Sequence, residues 1–146
     1  FTLACANNLG IYLRGSGDVQ GAIERGRLTV EGLTRSVGPE HPYTLNAMIN
    51  LANAYGDDGQ LALAEQLGRA AHQGLCERYS AQHPDRSLST TNLAVTLRKL
   101  GRNTEADSLR SLGLTMLIRQ FGAEHPYVVS ARNWQPINRD LEHQPI

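Results

Sequence analysis

GPEHPYTLNAMINLANAYGDDGQ, residues 38–60, reads as a turn, a helix and a second turn. Leu45, Met48, Ala52 and Tyr55 recur at helical spacing and Leu51 widens the stripe. Pro42 suits a first helical turn, where an N–H has no intrahelical partner in any case. Asp57-Asp58-Gly59 interrupts the pattern, and Ala64, Leu67, Ala71 and Leu75 then form a second stripe. The expected unit is a helical hairpin, its first helix over about 43–56 and its second over about 61–79.

The same hairpin is written three times. A step of 42 residues aligns Asn8-Leu9-Gly10 with Asn50-Leu51-Ala52 and Asn92-Leu93-Ala94. It also aligns Gly17 with Gly59 and Gly101, Ala22 with Ala64 and Ala106, Leu33 with Leu75 and Leu117, and the Gly38–Pro42 turn with 80–84 and 122–126. A period of this length is the mark of a solenoid, because a single hairpin cannot bury its own apolar face. Units over about 1–42, 43–84 and 85–126 follow, with a capping helix over 127–135, so that the array covers 1–136 and a tail covers 137–146. The small residues at 10, 52, 94 and at 22, 64, 106 let paired helices approach closely, and large side chains there should break the stack. Trp134 and Pro136 depart from the repeat, and Trp134 is expected to pack against the open end of the array.

Leu51-Ala52-x-x-Tyr55, with Gly59, Ala64 and Ala71 behind it, resembles the tetratricopeptide repeat. The 42-residue period, Asn7-Asn8-Leu9-Gly10 and Gly38-Pro39-Glu40-His41-Pro42 are similar to its kinesin light chain-like form. The resemblance implies an all-α, right-handed α-solenoid of helix-turn-helix units. Leu97-Arg98-Lys99-Leu100-Gly101 and the ending Asp140-Leu141-Glu142-x-Gln144-Pro145 look like the C-terminal arrays of actinobacterial NB-ARC/STAND-type signalling proteins, in which a nucleotide-binding switch precedes the repeats. The absence of an initiator Met, together with a start inside the repeat pattern, suggests the C-terminal piece of a longer protein.

The charge is balanced, with 14 basic and 14 acidic residues, so no whole-chain field draws the protein to nucleic acid or an anionic membrane. No apolar run approaches the roughly 20 residues of a membrane span. Cys5 and Cys76 form neither a disulfide framework nor a metal motif, and buried thiols in a cytoplasmic setting are expected. The recurrent His41, His83 and His125 are too far apart along the stack to share a zinc ion and read as turn residues. Gly15-Ser16-Gly17-Asp18 sits at a hairpin turn instead of a phosphate loop, and no nucleophile elbow occurs. Solvated turn acids are the expectation for Asp57-Asp58. Neither catalytic residues, nor a metal, nor a cofactor is expected.

What remains is the inner face. At about 100° per residue, Asn46, Asn50, Asn53 and Asp57 lie together, roughly opposite the Leu45/Met48/Ala52/Tyr55 stripe. Their equivalents are Ala4, Asn8, Ile11 and Gly15 in the first unit and Leu88, Asn92, Val95 and Lys99 in the third, so Asn8, Asn50 and Asn92 form the central line. Asn costs up to about 0.7 kcal/mol of helix propensity relative to Ala, so three occurrences in register need a reason. In the resembled family the first helix of each unit lines a groove, and this column often bonds the backbone of an extended peptide. A primary amide, with two donors and an acceptor, is the complement of a peptide group. Two uses are open: contact with a protein or peptide ligand, or bonds that only lock neighbouring helices. Arg14, Arg98 and Lys99 are candidate rim charges, and Ile11, Ile49, Leu88 and Val95 candidate apolar contacts, which together suggest a peptide carrying a carboxylate and one or two apolar anchors. A second possibility is a structural, autoregulatory or self-associating element, its groove filled by the parent chain, another copy, or the tail 138–146.

Overall fold

A computed structural model describes residues 2–141 and contains seven helices and no strand among them. These are α1 (Leu3–Gly15), α2 (Val19–Val37), α3 (Pro42–Asp57), α4 (Leu61–Arg78), α5 (Pro84–Lys99), α6 (Asn103–Phe121) and α7 (Pro126–Arg132). Each helix packs on the next along the chain. The odd-numbered helices also touch one another, α1 to α3, α3 to α5 and α5 to α7, whereas no even-numbered helix reaches another even one. The odd helices are therefore the closely spaced inner row of an α-solenoid and the even helices the splayed outer row.

The two columns of small and apolar residues explain the stacking. Ala22, Ala64 and Ala106 are buried, as are Leu33, Leu75 and Leu117. Ala52 and Ala94 are buried too, and Gly113 lies so close to α5 that an added Cβ would stand 2.4 Å from Thr91 Cγ2. Each hairpin thus lends an apolar face to the next, and the core is a string of small clusters with no single centre.

The His-Pro pairs start α3, α5 and α7. In each, the imidazole Nδ1 accepts a hydrogen bond from the backbone N–H two residues on, at Tyr43, Asp85 and Tyr127, all at 3.1 Å. The histidine takes the N-cap role usual for Ser or Asp, in its Nε2–H tautomer, and the proline fills the first helical position, where it loses no bond.

The linkers before these caps are not alike. Gly38 and Gly122 end α2 and α6 with φ/ψ of 97°/160° and 90°/155°, a region nearly closed to residues with a Cβ. Position 80 is Ser, and no positive φ occurs there. Accordingly α4 stops one residue early in the repeat register, at Arg78, and Tyr79 is extended with φ −121° and ψ 151°. Its ring then stacks on His83, with centroids 3.6 Å apart and planes within 5°.

The closing helix is shorter than the expected 127–135. Trp134 takes φ 55°, ending α7 and turning the chain inward. Its ring packs against the cluster of Leu93, Leu97 and Ala106, held between the guanidinium groups of Arg98 and Arg110 at 4.4 and 4.1 Å. From there residues 136–141 run as an irregular strap without helix or strand.

Candidate functional site

The strap lies in the groove of the inner row, and the asparagines hold it by its backbone. Asn92 Nδ2 donates to the carbonyl of Ile137 at 2.7 Å, and Asn92 Oδ1 accepts from the N–H of the same residue at 2.7 Å. Asn50 does the same with Arg139, at 2.8 and 3.0 Å. Asn8 Oδ1 accepts from the N–H of Leu141 at 3.3 Å. One step of 42 residues in the array thus corresponds to two residues of strap, running in the opposite direction. Alternate residues of the strap thus meet successive inner helices, which is the two-residue period of an extended backbone. The amides of Asn92 and Asn50 behave as the facing residue of a neighbouring β-strand would, each pairing with both the N–H and the C=O of one residue.

Asparagines off the central line strengthen two rungs. Asn53 Nδ2 donates to the Ile137 carbonyl at 3.1 Å, and Asn7 Nδ2 to the Arg139 carbonyl at 3.3 Å. Asn50 also donates to Asn7 Oδ1 at 3.0 Å. Asn50 therefore both joins α1 to α3 and holds the backbone of the strap. Asn46, in contrast, reaches no strap backbone; its Nδ2 donates to Asp85 Oδ2 at 3.0 Å. The strap and adjoining helices leave Asn46, Asn50, Asn53 and Asn92 only 4–9 % exposed.

Side chains of the strap alternate with this ladder. Ile137 is buried among Leu88, Leu117, Val128 and Ala131, and Leu141 among Leu33, Ala47 and the partly buried Leu3 and Ala4. Leu88 and Ala4 are equivalent in the repeat, as are Leu117 and Leu33, so the two apolar anchors enter corresponding pockets two units apart. Of the other apolar candidates, Ile49 belongs to the core of its own hairpin with Leu45, Ala71 and Leu75.

The rim cations are already engaged. Arg14 Nε pairs with Asp57 at 2.5 Å and its Nη1 donates to Asn138 Oδ1 at 2.9 Å. Lys99 Nζ lies 3.9 Å from the same Asp57, and Arg98 covers the Trp134 ring. The charge that faces the middle of the strap is instead negative: Asp85, 5 % exposed, with Arg139 Nε 3.1 Å from its Oδ1. Asp85 thus adds, at the middle of the groove, a charge of opposite sign to Arg14, Arg98 and Lys99. Arg14 and Lys99 share the single carboxylate of Asp57, and Arg98 lies over an aromatic ring.

Asn7, Asp85 and Asn138 are the site residues that sequence reasoning passed over. Asn7 was visible beside Asn8, but its equivalents are Ile49 and Thr91, so it carries no periodic signal. Asp85 reads as an ordinary acid in a first helical turn, and only the return of the strap gives it a cationic partner.

The sequence profile of the tetratricopeptide repeat matches residues 2–77, more than half of the chain. The chain belongs to the tetratricopeptide repeat family. Among solved structures, the kinesin light chain nearly identical tetratricopeptide-like repeats of Podosopora anserina superpose with a TM-score of 0.80 at 25 % identity, over 89 % of this chain and 62 % of theirs. A point variant of the same repeats superposes with the same TM-score and identity, over 61 % of its length. The present tetratricopeptide array thus spans less than two thirds of those chains. No curated protein matches this sequence. Tetratricopeptide repeats generally mediate contacts between proteins.

Elsewhere the array offers little chemistry. Among the described residues no group of three His, Cys, Asp or Glu is placed to hold a metal, and no helix is long and apolar enough to cross a membrane. His72 on α4 bonds Ser89 Oγ through Nδ1 at 2.8 Å, and Cys76 Sγ lies 3.5 Å from its Nε2. Burial lowers the His72 pKa below the usual imidazole value, and the positive charges of Arg86 and Arg69 lower it further.

Proposed function

We propose that this array is a non-enzymatic protein-binding module that takes an extended peptide segment along its inner groove, reading the backbone with Asn8, Asn50 and Asn92. The observation that carries this reading is the register of the ladder, in which two asparagines each bond both polar groups of one strap residue and a third bonds the next alternate residue. A side-chain amide that only locked two helices together would have no reason to match the two-residue period of an extended chain. Because the strap fills the groove, it acts as an internal stand-in for the partner, and the module is autoregulated by its own tail. The short family resemblances favour a sensing or docking segment of a larger bacterial signalling protein, working in the cytoplasm.

The test uses the strap sequence as a separate labelled peptide, residues 135–141, and the 146-residue chain with Ile137→Asp and Leu141→Asp, which expel the apolar anchors. Fluorescence anisotropy is expected to show saturable binding to this released chain, at least about tenfold weaker binding to the unmodified chain, and loss of binding when Asn50→Ala and Asn92→Ala are added. Failure of the peptide to saturate a released chain that retains its helical circular dichroism would sink the proposal.

A further inference from the structure

Beside the middle rung the strap leaves a cavity of about 210 Å³, walled by Tyr43, Tyr79 and His83 and floored by Asn46 and Asp85. Two residues that line this space carry a buried acceptor without a hydrogen-bond donor, Asn46 Oδ1 and Asp85 Oδ1, on side chains 4 % and 5 % exposed. Arg139 stands at the mouth. Its Nε is 3.1 Å from Asp85 Oδ1, but the contact lacks the alignment of a hydrogen bond, and the Arg139 side chain remains one-third exposed at 34 %. Asp140 also lines the space.

Buried oxygens without donors are costly, and a carboxylate more so than an amide. A planar guanidinium presents five N–H donors in a fixed fork, enough to satisfy Asp85 and Asn46 together, and it stacks well on aromatic walls such as the Tyr79–His83 pair. We propose that the Asp85 pocket is a specificity subsite for an arginine side chain, and that the groove selects partner segments of the pattern apolar–x–Arg–x–apolar, bound antiparallel to the order of the repeats. The inference rests on the reading of the groove as a peptide site and adds to it the chemistry of the central residue. Ile137, Arg139 and Leu141 reproduce the pattern in cis, with the arginine inserted only part of the way.

The released chain and the 135–141 peptide provide the test, the peptide being made with Arg, citrulline, Lys or Glu at the position of Arg139. The Arg peptide is expected to bind about tenfold or more tighter than the isosteric but neutral citrulline peptide, with Lys between them and Glu weakest. On a chain that also carries Asp85→Asn, the Arg and citrulline peptides should bind within about twofold of each other. Equal affinity of the Arg and citrulline peptides for the chain with Asp85 intact overturns the subsite, and this comparison needs no change to the buried residue. A preference that survives Asp85→Asn in a folded chain overturns the role of Asp85. If none of the four peptides saturates, it is the groove reading itself that fails.

Discussion

The outer repeats and the middle one share a fold, a His-Pro pair in the linker that ends each unit and a rung of the asparagine ladder, yet differ at two places. On the groove side, the position held by Ala4 and Leu88 in the outer units is Asn46 in the middle one. In the linker, the position held by Gly38 and Gly122 is Ser80. The first difference replaces an apolar pocket by a polar one. The second shortens α4 and frees Tyr79 to stack on His83, which builds the wall of that pocket. A repeat scaffold can therefore recognise backbone uniformly, through a residue it keeps, while side chains are discriminated unit by unit through residues it varies.

That contrast can be attacked directly. The largest effect is expected from Leu88→Ala, which gives the third unit the small residue of the first. Leu88 is 1 % exposed and packs on Ile137, Leu117 and Val128, so denaturant melts should show a loss of about 2–5 kcal/mol. A smaller loss would mean that the strap collapses onto the smaller residue, as Leu141 does beside Ala4.

The linkers come next. Gly122→Ala meets no atom within 4 Å of the new Cβ, so its cost is the backbone conformation alone, about 1–3 kcal/mol by the same melts. Ser80→Ala, at an exposed position without positive φ, should change stability by no more than about 0.5 kcal/mol. Equal losses at the two sites would remove the conformational explanation for the early end of α4.

The smallest effect concerns acid. His72 has its pKa lowered in the folded chain by burial and by Arg86 and Arg69, so the unfolded chain binds the proton more readily. The stability associated with a neutral His72 is present above the ordinary imidazole pKa and declines as pH falls below about 6.5. Melting temperatures from pH 7.5 to 5 should therefore fall less steeply in His72→Gln than in the parent chain. Parallel slopes would show that His72 carries no share of the acid sensitivity.

The hairpins, the period, the proline starts and the central asparagines were legible because each is written three times, and repetition separates a structural demand from chance. The fate of Asn50 was half legible: its place on the inner face follows from helical angles, but its bond to Asn7 depends on how adjacent units stack. The partners of the groove charges were not legible. Arg14 and Asp57 are 43 positions apart, and Asp85 and Arg139 further still, so the net field at any point depends on contacts that no local pattern encodes. The histidines were recognised as punctuation, but their Nδ1 caps needed the position of the following backbone N–H.

Trp134, held between two guanidinium groups, turns the chain so sharply that only Gln135 and Pro136 separate it from Ile137, the first rung of the ladder. A ligand on so short a leash competes with a high effective concentration, on the order of millimolar for short flexible linkers. A free segment of merely equal intrinsic affinity would have to reach that concentration to occupy half of the grooves. On the proposed reading of the groove as a peptide site, the tether would set a threshold: scarce or imperfect segments would be rejected, and admission would go to a partner that is locally abundant or that fills what the tail leaves empty.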